Sequence, residues 1–136
     1  MVAVSTIRSR YYKAARRLGA PKHLVMFATQ PRPDGGAYVE LDGDAYAYVV
    51  WERGVELQRR ITHDAEEILY WLVSDLTFEM AMEYELDHRR KDQDSRRLLF
   101  EKNLELLAVA NQTWSERKRM EYDRILQEHP FVDHRP

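Results

Sequence analysis

The sequence contains no cysteine, and this absence removes several classes of protein at once. Disulfide scaffolds, thiolate metal centres and cysteine nucleophiles all need that residue. Long hydrophobic runs are missing too, since no stretch approaches the roughly 18 apolar residues that a membrane-spanning helix requires. The N-terminus also lacks the apolar segment of a secretory signal. We therefore expect a cytoplasmic protein that does not enter a membrane.

Glycine is scarce, with five residues in the chain, and none of them builds a phosphate-binding loop. Neither the dinucleotide fingerprint G-x-G-x-x-G nor the P-loop pattern G-x-x-x-x-G-K-[ST] occurs. The serines show no nucleophile-elbow motif and no neighbouring triad. Carboxylates are so common that a pair such as Glu52 and Glu56 does not indicate general acid–base catalysis. The sequence thus predicts a protein that is not an enzyme and carries no cofactor.

The chain is long enough to fold without a metal or a disulfide. Its 136 residues suit one domain, and 44% of them are apolar, including three Trp, eight Tyr and four Phe. A domain of this size buries about 68% of the surface that its unfolded chain exposes. We expect a single domain over residues 1–136, with a frayed tail over 129–136 in which Phe131 can still dock.

A small net charge of −2 conceals a strong asymmetry along the chain. Residues 1–33 carry seven Lys or Arg and no acid, whereas residues 34–87 carry fourteen Asp or Glu and three Arg. Such an asymmetry can serve a charged partner, or it can mean that two segments of one fold face each other. The sequence leaves both explanations open.

The first half of the chain predicts one helix followed by a β-meander. Helical spacing of apolar residues runs from Val4 to Leu18, and Gly19 and Pro21 end it. The apolar run 23–29 suggests a short strand. Three further strands are predicted over 37–41, 45–52 and 55–61, with a turn at Asp42-Gly43 and another at Arg53-Gly54. In the last strand, alternation predicts that residues 55, 57 and 61 share one face and residues 56, 58 and 60 the other.

From residue 64 onward the period of the pattern becomes helical. Residues 64 to about 89 predict a long helix whose first half is apolar nearly all round, as in a buried central helix. A second helix is predicted over 95–110. A third begins at the capping box Thr113-Trp114-Ser115-Glu116 and runs to about Glu128 before Pro130. The predicted fold class is α+β: an N-terminal helix, an antiparallel meander of three or four strands, and three helices.

An acidic surface on the meander is the feature that most suggests a function. Carboxylates fall at the turns or on polar strand faces, where they would steer a basic protein partner and raise its association rate. They are Glu40, Asp42, Asp44, Glu52 and Glu56. The competing interpretation is a solvated surface that is partly neutralised by the basic first helix.

Metal and nucleic-acid sites are weakly indicated. Glu85 and His88 form a single E-x-x-H motif, whereas di-iron bundles need that motif twice. His129 and His134 lie in the tail, so we expect no metal site. Several Arg/Lys clusters occur, but the isoelectric point of about 6.2 argues against nucleic-acid binding. The best remaining candidate for it is the basic first helix, which would make the chain a small nucleic-acid-associated or regulatory module.

Between Trp51 and Phe131 the chain resembles a known family. The resemblance rests on four segments: WERGVELQRR (51–60), EEILYWLVSDLTFEMAMEYELDHRR (66–90), QDSRRLLFEKNLELL (93–107) and WSERKRMEYDRILQEHPF (114–131). Together they are similar to the immunity protein 63 family of bacterial polymorphic-toxin and contact-dependent inhibition systems. This resemblance implies a cytosolic protein that binds and occludes the C-terminal domain of a cognate toxin. The charge pattern of the chain would suit a basic nuclease as that toxin, and a deaminase or another class of toxin stays open.

Within the matching segments, one set of polar and aromatic residues falls at the expected helix–helix junction. We hypothesise that these side chains build a structural polar network around the buried helix. They are Trp71, Asp75, Tyr84, His88, Asp94 and Arg97.

Overall fold

The computed structural model describes residues 1–134 and confirms the α+β class. In chain order the elements are α1 (Val4–Leu18), β1 (Ala37–Asp42), β2 (Ala45–Glu52), β3 (Val55–Thr62), α2 (Ala65–Asp87), α3 (Ser95–Ala110) and α4 (Gln112–Glu128). The chain divides into two compact units, Met1–Val73 and Ser74–Pro136, and the division falls within α2. Whether the whole chain behaves as a single domain stays a prediction.

Helix α1 forms for the reasons that its sequence suggested. Ile7, Tyr11 and Ala15 recur at helical spacing and are buried, while the basic residues between them stay exposed. Gly19 ends the helix in the left-handed conformation, with φ of 65°, and its N–H donates to the carbonyl oxygen of Arg16 over 3.0 Å. Glycine adopts this conformation without the steric cost that a Cβ would add.

The strand predicted over residues 23–29 is wrong, and the sheet has three strands. This segment begins with a turn and continues as irregular chain without a strand. Its backbone groups find other partners: the Met26 N–H donates to the Tyr11 hydroxyl over 3.3 Å, and the Ala28 carbonyl accepts from the Val39 N–H over 2.9 Å. A short apolar run shows that a segment is partly buried but does not establish a strand ladder.

The three strands form an antiparallel meander in the order β1-β2-β3. Asp42 pairs with Ala45, so Gly43 and Asp44 are the central residues of the first turn, one position later than predicted. Gly43 has φ of 62° and supplies the positive φ that tight hairpins require. In the second turn both central residues, Arg53 and Gly54, have positive φ, at 54° and 78°.

Arg53 is the only described non-glycine residue with positive φ, which makes the second turn a site where stability can be gained. Asparagine tolerates the left-handed region better than arginine, and Asn-Gly is the preferred pair for this kind of turn. We expect Arg53→Asn to raise the free energy of unfolding by about 0.5–1 kcal/mol. Urea denaturation should show the gain. Arg53→Lys is the control and should leave the midpoint unchanged, because lysine has the same backbone preference.

A β-bulge in β3 overturns the predicted division of its two faces. Val50 pairs with Gln58 and Trp51 with Glu56, so Leu57 is an extra residue between the two pairs. The bulge shifts the alternation by one position. Glu56 therefore lies on the same face as Arg59 and Ile61, and not with residues 58 and 60 as predicted.

Each face of the sheet buries its own set of side chains. One face carries Tyr48, whose ring packs edge-on against Trp71 of α2 with 5.9 Å between centroids. The other face carries Tyr38, Ala47 and Val49, which pack with Trp51 and with Ala28 of the preceding loop. The acidic residues of β1 extend along this second face, next to the small side chains of β2.

Helix α2 spans 23 residues and has a largely buried first half, as predicted. Its N-terminus is capped by Asp64, whose carboxylate accepts the Glu66 N–H over 2.9 Å. Glu66 and Glu67 in the first turn complement the helix dipole.

Helix α4 begins one residue before the predicted capping box. Asn111 is the N-cap, and its side-chain oxygen accepts the Trp114 N–H over 3.1 Å. Asparagine is as good an N-cap as threonine, and it lies directly after the end of α3, where the chain turns. Ser115, which we had placed in the capping box, instead donates to the Leu104 carbonyl of α3 over 2.8 Å.

The segment after α4 is tied to the start of α3. Arg96 donates to the carbonyl oxygens of His129 and Pro130, each over 2.9 Å, and Phe131 packs beside Phe100. Asp133 accepts hydrogen bonds from Arg97. The predicted fraying of residues 129–136 concerns motion and stays a prediction, and residues 135 and 136 lie outside the described part.

Candidate functional site

The sheet gathers three of the five predicted acidic residues around one arginine. Arg59 of β3 contacts Glu40 at 2.6 Å, Asp42 at 3.2 Å and Glu56 at 2.8 Å. These four residues are called the Arg59 cluster below. In the register of the sheet, Arg59 pairs with Val49 and Glu40 with Ala47, so the guanidinium reaches β1 across the small side chains of the middle strand.

The electrostatics of the Arg59 cluster follow from these contacts. Arg59 lowers the pKa of the Glu56 carboxyl below its ordinary value, and Glu56 and then Glu40 raise the pKa of the guanidinium. Both shifts favour the charged forms of Glu56 and Arg59 near neutral pH. Three carboxylates around one cation leave an excess of negative charge, and the ion pairs hold the carboxylates in a fixed array on the surface.

The other two predicted acids flank the Arg59 cluster at the hairpin turns. Asp44 has an almost fully exposed side chain, and its carboxylate lies 3.2 Å from His63. Glu52 is exposed at the end of β2 and lines a groove of about 700 Å³ between the β2–β3 turn and the proline-containing loop 31–35. Arg10 of the first helix pairs with Glu66 of α2. Whether the other basic residues of that helix partly neutralise the acidic surface stays a prediction.

Exposed apolar side chains lie on β3 beside the Arg59 cluster. Leu57 and Ile61 are 59% and 51% exposed, and Val55 at the start of the strand is 58% exposed. The sequence predicted that these three residues would share one face, and this was wrong because the bulge at Leu57 breaks the alternation. Since β3 is an edge strand, most of its side chains lie in solvent. Protein interfaces combine apolar anchors with a polar rim, and this edge of the sheet offers both.

The residues of the hypothesised polar network fall into separate groups. Trp71 packs on Tyr48, and the Arg60 guanidinium lies 4.5 Å and 5.1 Å from the centres of the two rings. Asp75, also in α2, takes part in an interaction of its own. The role of the set as one network stays a prediction.

Tyr84 and His88 form the second group. Their rings stack with 4.0 Å between centroids, and the Lys102 amine of α3 lies 4.4 Å from the centre of the tyrosine ring. Glu85 does not join His88 as a metal ligand would, because its buried carboxylate forms a bidentate pair with Arg89 at 2.7 and 3.1 Å. Arg89 holds the pKa of Glu85 below its ordinary value.

Asp94 and Arg97 form the third group, which fastens the chain after α4. The Asp94 carboxylate accepts from the backbone N–H groups of Arg96 and Val132, at 3.0 and 2.9 Å, and from the Arg96 guanidinium. Asp133 accepts from the Asp94 N–H over 2.9 Å and pairs with Arg97 at 2.8 Å. Sequence reasoning missed Arg96 and Asp133, since no local pattern links residues more than 30 positions apart.

The basic residues of α1 remain the alternative candidate surface. Arg8 lies over the Tyr12 ring at 5.7 Å, and both are accessible. Tyr11, however, is buried and receives the Met26 N–H, so it is unable to stack on a base. This leaves α1 with one tyrosine for such a role instead of the two that the sequence suggested.

The described part of the chain contains neither a metal-binding cluster nor a membrane-spanning helix. No group of three His, Asp or Glu side chains among residues 1–134 is placed to hold a metal ion. None of the helices there is both long and apolar enough to cross a membrane.

The fold and these clusters define a small α+β protein with charged, partly apolar surfaces. The chain belongs to the immunity protein 63 family, whose model matches residues 42–124, well over half of the sequence. The match covers four of the five acids on the sheet and all six residues of the hypothesised network, and it confirms the resemblance seen in the sequence. Neither the curated proteins nor the solved structures include a match.

Proposed function

We propose that this immunity protein binds the C-terminal domain of a cognate toxin and neutralises it by occlusion, in the cytoplasm of the cell that makes it. The observation that carries the proposal is the Arg59 cluster. A fixed array of carboxylates beside exposed apolar side chains suits recognition of a basic protein surface. Inhibition by occlusion needs shape and charge, and it needs no catalytic group.

Charge complementarity favours a toxin domain with a basic working surface. Enzymes that act on nucleic acids bind phosphates through Lys and Arg, so a nuclease domain meets this requirement. The carboxylates at Asp44 and Glu52 extend the negative surface beyond the Arg59 cluster, to the two hairpin turns. An acidic surface of this kind would compete with nucleic acid for the same cations.

The first test of the proposal is protection. The chain would be co-expressed with the C-terminal domain of a large secreted protein encoded just upstream, and growth would be compared with and without it. Rescue of growth together with a stable purified complex would support immunity by direct binding. Continued killing, with both proteins soluble and no complex formed, would contradict the pairing.

The second test concerns the acidic surface itself. Replacing both exposed flanking acids, in D44N/E52Q, should lower the association rate with the toxin domain about tenfold at low salt, and much less at high salt. Stopped-flow or surface-based kinetics would measure it. The matched control is D92N/E116Q, which removes the same charge from exposed positions of the second unit. An equal loss in the control would mean that net charge matters and that this surface does not.

A further inference from the structure

A groove of about 520 Å³ lies along the hairpin of α3 and α4, and Phe131 of the segment after α4 also lines it. Its floor is aromatic and aliphatic, while charged side chains stand at its rim. The floor consists of Phe100, Leu104, Ala108, Tyr122, Leu126 and Phe131. The proposed function makes no use of this groove.

The aromatic part of the floor is a stacked platform. The rings of Phe100 and Tyr122 are nearly parallel, with an interplanar angle of 8° and 3.8 Å between centroids. The Phe131 ring stands beside them, 6.3 Å from Phe100 and tilted by 48°. Aromatic faces carry a negative quadrupole, so such a platform attracts flat cations as well as apolar groups.

The wall of the groove at Phe131 is held in place by ion pairs. Arg96 binds the backbone carbonyls just before Phe131, and Asp133 just after it is paired with Arg97. The Arg97 guanidinium also lies over the Phe131 ring at 4.3 Å. The protein thus already stacks one guanidinium on this aromatic set, which shows that the ring faces suit that group.

The charges at the rim leave a negative excess next to the platform. Glu101 and Asp123 each follow one of the stacked aromatic residues in sequence, and both are exposed. Within residues 1–134 neither of them forms an ion pair. Glu105 faces Lys102 at 3.4 Å, so that carboxylate is already engaged. Among the groove's lining residues in the described chain, Arg119 is the one basic residue that forms no ion pair.

We propose that this groove receives an arginine side chain of the protein partner. Tyr122 is buried and stacks face to face on Phe100, so the planar guanidinium would lie against the half-buried Phe100 ring of the platform. Glu101 and Asp123 would accept its hydrogen bonds. Arginine fits better than lysine because it stacks on rings and binds carboxylates in a bidentate manner. That the toxin domain supplies this arginine rests on the proposed function. Recognition of an arginine side chain by the groove does not depend on the proposed function.

A small probe tests the recognition without any toxin. N-acetylarginine amide would be titrated into the protein while the aromatic ¹H resonances of the platform are followed by NMR. We expect saturable shifts at millimolar concentration, together with much smaller shifts for N-acetylcitrulline amide, which has the same shape without the charge. Equal shifts with both probes, or no shifts at the platform, would overturn the proposal.

Variants with opposite expected signs provide the second measurement. E101Q/D123N should weaken binding of the arginine probe at least fivefold, whereas R119Q should strengthen it, because a competing cation has been removed. E116Q, on α4 but outside the groove, should have no effect. If R119Q bound the arginine probe more weakly than the wild-type protein does, Arg119 would not be a competing cation and the proposed roles of the charged residues would be wrong.

The same variants separate this inference from the proposed function when the toxin domain is the ligand. If the wild-type protein binds the toxin domain and E101Q/D123N reduces the affinity at least tenfold while E116Q does not, the groove is part of the interface. If E101Q/D123N binds the toxin domain as tightly as the wild-type protein does, the toxin does not use the groove. Concentration-dependent dimerisation that E101Q/D123N abolishes would assign the groove to a second copy of this chain and overturn the proposal.

Discussion

Replacing Asp94 by alanine is expected to lower the free energy of unfolding by about 2–3 kcal/mol, because one carboxylate serves two purposes. It caps α3 by accepting the Arg96 N–H, and it holds the segment after α4 in place by accepting the Val132 N–H. Removing the N-cap costs about 1 kcal/mol, and losing charge-assisted hydrogen bonds costs somewhat more. Urea denaturation followed by circular dichroism would measure the change.

Asp94→Asn is the matched variant, because it separates the cap from the charge. Asparagine is a good N-cap and can still accept the Arg96 N–H, but it is unable to form an ion pair with the guanidinium. We expect Asp94→Asn to lower the free energy of unfolding by roughly half as much as the alanine variant does. Equal losses in the two variants would show that the charge dominates and that the cap contributes little.

The Asp94 carboxyl also makes stability depend on pH. The Arg96 guanidinium, followed by the Val132 N–H, holds the pKa of Asp94 well below its usual range. An unfolded aspartate titrates near pH ~3.9. The pKa of Asp94 is lower in the folded state than in the unfolded state. The contribution of its carboxylate to the free energy of unfolding is therefore fully present above the unfolded pKa and is lost as the pH falls below it. The wild-type protein should therefore lose stability more steeply below about pH 4 than Asp94→Asn does.

Tyr122→Phe is expected to destabilise the protein by about 1–3 kcal/mol, because the hydroxyl satisfies a buried amide. Asn103 is 1% exposed, and its amide nitrogen donates to the Tyr122 hydroxyl. The side-chain oxygen of Asn103 has no hydrogen-bond partner within the described part of the chain. Loss of the hydroxyl would thus leave the whole amide unsatisfied in the interior.

A double-mutant cycle tests this explanation. Asn103→Leu removes the buried amide, and Asn103→Leu/Tyr122→Phe replaces both polar partners by apolar groups. We expect the double variant to be more stable than Tyr122→Phe alone, with a coupling energy of about 1–2 kcal/mol. Additive losses in urea denaturation would show that the two side chains do not depend on each other.

Local pattern was sufficient for most of the secondary structure. The 3.6-residue period identified all four helices, and Gly19 and Pro130 marked two of their ends, because these residues act on the backbone in their own neighbourhood. The hairpin turns were located to within one residue for the same reason. Family membership could also be read from the sequence, since the pattern of residues 51–131 is long and ordered.

The predictions from sequence were wrong where contacts between residues distant in the chain decided the local structure. The apolar run 23–29 forms no strand, and Tyr11 and Val39 take part in its hydrogen bonds instead of a neighbouring strand. One extra residue at Leu57 reversed the expected faces of β3, and alternation alone gave no sign of it. Two residues suitable for capping α4 lay close together, and the position of the turn after α3 selected Asn111.

The sequence by itself determined the fold class, the order of the elements and the presence of an acidic middle segment, because these depend on composition and on short-range periodicity. Only the tertiary structure decided which charges meet. It placed Arg59 among Glu40, Asp42 and Glu56, and it joined Asp133 to Arg97 across 36 positions of the chain. Ion pairs of this kind depend on strand register and helix packing, which a single sequence does not specify.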